Sequence, residues 1–250
     1  MKFSTVTALA VGLAAALSLS AVSANEATIR DAVKLTNPKA EVKTITDFGL
    51  PGVKQVVADT SVVYISDDGR FVFSGLMLDM VAKRNLSEEA QSVSRQALLS
   101  TIPKNALISY EPKEVKHRIT VFTDVSCGYC QMLHKNMQSY LDKGIAVDYV
   151  PFPRGGLESP VFATMQNAWC SKDQKKSLDA AYTGGTPAAA KCADPVAAMY
   201  QLGDKLGVEG TPAIYDQYGN HMGGYVPADQ LIQQLDLYNV RKAGTKTAAK

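Results

Sequence analysis

Histidine, cysteine and tryptophan are scarce in this 250-residue chain, with three, four and one copies. His117, His134 and His221 are scattered, so no metal site built on histidine is expected. Basic runs and aromatic-basic interleaving are missing, and the formal net charge is only +2. That excludes the electrostatic footprint of a nucleic-acid binder. The chain has no internal repeat. Its only biased stretch is RKAGTKTAAK at the end, read as a frayed tail over 241–250. Beyond residue 22 no segment is apolar enough for long enough to cross a bilayer, so the mature protein is expected to have no membrane span.

What is present starts with Met1-Lys2, an apolar stretch from Val6 to Val22, and the small residues Ser23-Ala24. This pattern reads as a secretory signal peptide over 1–24, with a membrane anchor as the alternative. A secreted chain works in an oxidising compartment.

Residues 25–84 carry a weakly periodic helix, then short alternating runs at 41–46, 53–58, 61–66 and 71–75. Asp67-Asp68-Gly69 is a hairpin turn signal. The expectation is a small antiparallel sheet with one helix. So small a sheet buries little surface alone, which makes pairing with a second copy, a homodimer, a reasonable outcome. Residues 85–103 read as a linker helix. Ser87 is its expected N-cap, Ala90, Val93, Ala97 and Leu98 its thin apolar positions, and Pro103 its stop. Residues 104–240 read as βαβ, a helical insertion, then ββα. That is a thioredoxin-like α/β domain, and the whole chain is classed α+β.

The chemistry concentrates in RITVFTDVSCGYCQMLHKNMQ. An apolar strand ends in a polar turn at 123–126, and a helix is expected from Tyr129 to Leu141. Cys127 and Cys130 sit at the handover. A sulfur at a helix N-terminus meets unpaired N–H groups and the positive end of the dipole, and both favour thiolate. Three residues further on, Cys130 lies one turn away, close enough to form a disulfide. Cys127 is therefore the expected nucleophile and Cys130 the resolving thiol. CxxC also occurs as half of a zinc site or as a plain disulfide. Cys170 and Cys192 do not form a second CxxC, and an exported protein would sooner oxidise them into a structural disulfide, worth roughly 3 kcal/mol. No metal and no cofactor are expected.

Thr211-Pro212 precedes a strand. In thioredoxin-like sites a cis-proline faces the CxxC, and the backbone before it can pair with a peptide. Thr211 and Pro212, with Gly128 and Tyr129 between the cysteines, are the expected substrate-binding residues. Tyr129 is otherwise a spacer, His134 most simply packs, and Trp169 belongs to the core of the insertion.

The segments GLPGVKQVV, FTDVSCGYCQMLHKNM, FPRGGLESP, NAWCSKD and QLGDKLGVEGTPAIY resemble the DsbC/DsbG family of bacterial periplasmic thiol:disulfide isomerases. The resemblance covers nearly the whole mature chain. CGYC is similar to the DsbC branch, whereas DsbG members usually carry Pro after the first Cys. It implies a periplasmic homodimer held by the N-terminal domains, with nucleophile, resolving Cys and cis-Pro at Cys127, Cys130 and Pro212. It also implies a second disulfide at Cys170 and Cys192, reduction by the membrane protein DsbD, and misfolded disulfide-containing secreted proteins as substrates. Chaperone activity, a reductase or oxidase role, and a DsbG-like chaperone-isomerase are the competing expectations.

Overall fold

A computed structural model describes the backbone of residues 14–248 apart from 194, and the side chains of 25–239 apart from 194. The leader expected at 1–24 falls outside the described residues, apart from a helical backbone from Ala14. The side chains of the tail expected at 241–250 are also outside them. No described helix is long and apolar enough to cross a membrane. The chain divides into two compact units, Met1–Ser87 and Glu88–Lys250.

In the first unit, helix α1 (Ala14–Thr36) covers an antiparallel sheet. Its strands run in the order β1 (Val42–Thr46), β2 (Val53–Ala58), β3 (Ser61–Ser66) and β4 (Val72–Ser74). Ile29, Ala32 and Val33, on one helical face, bury against Val56, Ala58 and Ile65. The Asp67-Asp68-Gly69 turn forms as the residues require: Asp68 Oδ1 accepts from Ser66 Oγ at 2.5 Å and from Arg70 N at 3.1 Å. A two-strand ladder, β5 (Leu78–Asp79) with β6 (Arg84–Asn85), was not expected; neither strand is longer than two residues.

Ser87 is not the N-cap of the next helix, α2 (Leu86–Leu99). It lies inside the first turn, and its buried hydroxyl turns toward the sheet. There it accepts from Met77 N at 2.9 Å, donates to Gly75 O at 3.1 Å and pairs with Tyr64 OH at 2.7 Å. Buried backbone groups without a ladder partner take the hydroxyl in preference to the helix end.

The second unit holds a five-stranded sheet in the order β11 (His221–Gly223), β10 (Ala213–Asp216), β8 (His117–Thr123), β9 (Ile145–Pro151), β7 (Ile108–Tyr110). Only β8 and β9 run parallel, as the βαβ connection between them requires. β7 was not expected; three residues give too short an alternation to read. Every residue of β9 is buried, because the sheet is covered on both faces. One core gathers Ile119, Val121, Leu133 and Tyr149. The other gathers Phe122, Val150, Phe152 and Leu202.

The helix after the cysteines breaks in two, α3 (Gly128–Lys135) and α4 (Met137–Asp142). Asn136 Nδ2 donates to Met132 O at 2.9 Å, competing with the backbone for that carbonyl, and the helix restarts one residue on. The insertion consists of α5 (Pro160–Trp169), α6 (Gln174–Tyr182) and α7 (Pro195–Leu206). Helix α8 (Ala228–Ala248) closes the unit and runs past the end expected at Tyr238.

From Glu88 on, α2 is held by the β10–β11 turn. His221 N donates to Glu88 Oε1 at 3.0 Å and Gln96 Nε2 to Gln217 O at 3.0 Å. Gly219 has φ +82°, and a Cβ there would lie 2.1 Å from Ser92 O. This face buries Ser92 and Arg95; of the apolar positions expected for this helix, Val93 and Ala97 are exposed and Leu98 packs partly buried against the second core.

Candidate active site

The polar turn before Cys127 is organised by one buried carboxylate. Asp124 Oδ1 accepts from Ser126 N at 2.7 Å and Ser126 Oγ at 2.6 Å, an Asx turn that swings the chain from β8 into α3. Asp124 Oδ2 accepts from Arg154 N at 2.8 Å and Nε at 3.2 Å. Cys127 becomes the N-cap residue of α3 with extended backbone angles, φ −82° and ψ 121°. Neither Asp124 nor Arg154 was singled out in the sequence; D-V-S before a helix was the available signal for the first.

Cys127 and Cys130 are both free thiols and both buried, at 3% and 0% exposure. The Thr211–Pro212 peptide bond is cis, and the Cys127 thiol donates to Thr211 O at 3.1 Å. Cys127, Cys130, Thr211 and Pro212, far apart in sequence, therefore lie together. Tyr129 is 61% exposed beside them, its ring stacked on Tyr225 at 6.2 Å. Gly128 opens α3, and a Cβ added there would meet nothing within 4 Å.

The two sulfurs are driven in opposite directions. Burial alone would raise the Cys127 thiol. The nearby Thr211 hydroxyl, the N–H groups of Cys130 and Tyr129 and the Cys130 thiol outweigh it and hold the thiol below its ordinary value. Cys130 is pushed up to about 12 by burial, with the neighbouring Cys127 adding to the rise and the polar groups of Thr123, the Asp124 backbone and Thr211 opposing it. At neutral pH the pair is thus a nucleophilic sulfur above a protonated one.

Beneath Cys130 lies an aromatic layer. Thr123 Oγ1 and Tyr182 OH are 2.5 Å apart, both buried. His134 stacks on Tyr182 at 4.3 Å between centroids, and its Nε2 meets Asp179 Oδ1 at 3.0 Å. Burial lowers its pKa, partly offset by Asp179. His134 faces this layer, and no hydrogen bond joins it to either sulfur among the described residues.

Cys170 and Cys192 are bonded to each other, with Cα atoms 5.4 Å apart. The bond removes them as further ligands for a zinc held by CxxC. Trp169 is buried next to the bridge and donates from Nε1 to Ala106 O at 2.9 Å.

A thiolate-favouring sulfur at the head of a helix, a protonated partner one turn on and a cis-proline opposite define a thioredoxin-like thiol–disulfide exchange protein. Residues 103–239 match the thioredoxin-like domain family, and residues 20–88 match the disulfide bond isomerase protein N-terminal domain. The thiol:disulfide interchange protein DsbC of Dickeya dadantii is 37% identical over 226 residues, covering 89% of this chain and 92% of that protein. The DsbC of Escherichia coli K12 is 36% identical over 215 residues, covering 85% and 90%. A crystal structure of a disulfide interchange protein from Neisseria gonorrhoeae is 27% identical, covering 52% of this chain and 95% of that one, with a TM-score of 0.46. The chain belongs to the DsbC family of thiol:disulfide interchange proteins.

Proposed function

We propose that the protein is a periplasmic disulfide isomerase that rearranges non-native disulfides in exported proteins. The observation that carries this is the placement of Cys127 at the head of α3, its thiol 3.1 Å from Thr211 O beside the cis bond to Pro212, with Cys130 buried one turn on. The Cys127 thiolate attacks a substrate disulfide and forms a mixed disulfide; a substrate thiol leaves. A different substrate thiolate then attacks the substrate sulfur of this mixed disulfide, forms a new substrate disulfide and releases Cys127 as thiolate. If rearrangement stalls, Cys130 attacks Cys127, frees the substrate in reduced form and leaves the protein oxidised. Exchange needs no cofactor. Thr211, Pro212, Gly128 and Tyr129 form the substrate-facing surface, with Thr211 O available to a peptide N–H once a substrate displaces the thiol proton.

Keeping Cys127 reduced in an oxidising compartment requires an electron donor, which we assign to the membrane reductase DsbD. We further propose a homodimer formed by the first unit. β4 is an edge strand, and Phe71, Phe73, Leu76, Met80 and Val81, on it or flanking it in sequence, are exposed. An exposed apolar edge of this kind is satisfied by pairing with another copy. Tyr129 and Met132 leave apolar surface open beside Cys127, which favours chaperone activity toward unfolded chains as a second property.

The test is refolding of a scrambled multi-disulfide substrate. Cys127→Ala is expected to abolish it, and undiminished activity in that variant would remove the assignment. Light scattering is expected to give twice the chain mass; a monomer would favour an oxidase.

A further inference from the structure

The chain leaves β11 through Gly223-Gly224-Tyr225-Val226-Pro227 and enters α8. A Cβ on Gly224 would lie 3.6 Å from Pro212 O, so this loop passes within van der Waals range of the cis-proline. The Tyr225 ring lies near-parallel to that of Tyr129, at 23°, with centroids 6.2 Å apart. Near-parallel rings at that separation are offset sideways, and much of each face stays uncovered by the other. Tyr129 is accordingly 61% exposed and Tyr225 half-buried. Met132, one turn on from Tyr129 along α3, is exposed beside it. The loop after β11 and the head of α3 thus build one apolar shelf next to Cys127.

The shelf is held from beneath. Tyr140, fully buried in α4, donates from its hydroxyl to Val226 O at 2.7 Å, which fixes the backbone next to Tyr225 and with it the place of the ring. Neither segment carries a charged side chain, over 125–133 or over 222–228. Arg154, which reaches Ser126 Oγ at 3.5 Å, is paired with Asp124. An uncharged aromatic shelf takes up an apolar side chain, best an aromatic one, whereas a charged side chain would lose hydration there without a partner.

We propose that Tyr225, stacked on Tyr129, is a specificity-determining residue of the exchange: the pair receives an aromatic or large apolar side chain next to the substrate cysteine that Cys127 attacks. This rests on the reading of Cys127 as the nucleophile. Cysteines flanked by such side chains belong in a folded interior, so a disulfide that presents them at a surface is out of place. The preference acts on the first attack. Cys127 Sγ bonds the flanked substrate sulfur, the substrate S–S bond breaks, and its other sulfur leaves as a thiolate that takes up a proton. No further oxidant or reductant enters this step.

The test mixes the reduced full-length protein with symmetric disulfides of short blocked peptides, Ala-Xaa-Cys-Ala and Ala-Cys-Xaa-Ala. Acid quenching and mass measurement give the rate of peptide capture on Cys127. Each rate is divided by that of glutathione thiol with the same peptide, which removes differences in intrinsic reactivity. With Phe as Xaa, in at least one of the two orders, capture is expected to be roughly threefold to tenfold faster than with Ala, and with Glu no faster than with Ala. In Tyr225→Ala the Phe and Ala rates are expected to converge to within about twofold, and in Tyr225→Phe the preference is expected to persist. A general packing defect would slow every peptide alike and leave the ranking as it was. Equal Phe and Ala rates in both orders for the wild type overturn the proposal. So does an undiminished preference in Tyr225→Ala, or its loss in Tyr225→Phe. Should Tyr225→Ala not fold, Tyr129→Ala takes its place, with the same convergence expected and an undiminished preference again decisive against. Failure of the underlying reading looks different: Cys127→Ala would capture peptides at the wild-type rate.

Discussion

Cys127 Sγ lies 3.1 Å from the carbonyl oxygen of Thr211, 84 residues further along the chain. The carbonyl favours the thiol, whereas the Thr211 side chain and two helix N–H groups favour the thiolate, and the net effect is a lowered pKa. Alkylation of Cys127 by iodoacetamide should therefore show a pH midpoint below about 8.5, the ordinary thiol value. Cys130 should stay unreactive through that range. Thr211→Val should raise the midpoint and slow alkylation at pH 7 by roughly threefold to tenfold. A Cys127 midpoint at or above the ordinary value would remove the electrostatic basis of the nucleophile assignment.

The bridge between Cys170 and Cys192, 22 residues apart in sequence, restricts the unfolded chain. Replacing both by Ala should lower the stability of the second unit by about 3 kcal/mol, read as a fall in urea midpoint. Thiol counting under denaturing conditions should find two free thiols in the reduced-site form of the native protein.

Gly219 sits where the β10–β11 turn meets α2. Any side chain there collides with Ser92 O and adopts a positive φ that L residues rarely take. Gly219→Ala should destabilise the protein by about 2 kcal/mol or more, seen as a lower thermal midpoint. Glutathionylation of Cys127 in the folded fraction should be unaltered, because the turn bonds within its own hairpin and to α2, not to α3.

His134 has a pKa lowered chiefly by burial. Its contribution to stability is present above the unfolded value of about 6.5 and is lost as pH falls through the lower folded value. Urea midpoints should drop between pH 7.5 and pH 5. His221, lowered by burial and by Arg95, acts in the same direction, so His134→Phe should remove only part of the drop. A pH dependence identical to wild type in His134→Phe would contradict this.

Elements whose signals are local were legible in the sequence. β2, β3, β8, α6, α7 and β10 begin and end where alternation, helical period, Gly and Pro place them. Cys127, Cys130, Thr211 and Pro212 were nameable because spacing and family resemblance mark them. What stayed hidden depends on distant partners. Asn136 breaks a helix by bonding Met132 O, Ser87 leaves its expected cap for Tyr64 and Gly75, and α2 buries Ser92 and Arg95 in place of Val93. Tyr182 carries no motif; only the fold sets its hydroxyl on Thr123.

Tyr182 lies between Cys170 and Cys192, inside the loop that their bond closes. The staple and the Tyr182–Thr123 contact thus share one segment, so a reductant strong enough to open the staple would also loosen the packing beside the buried Cys130.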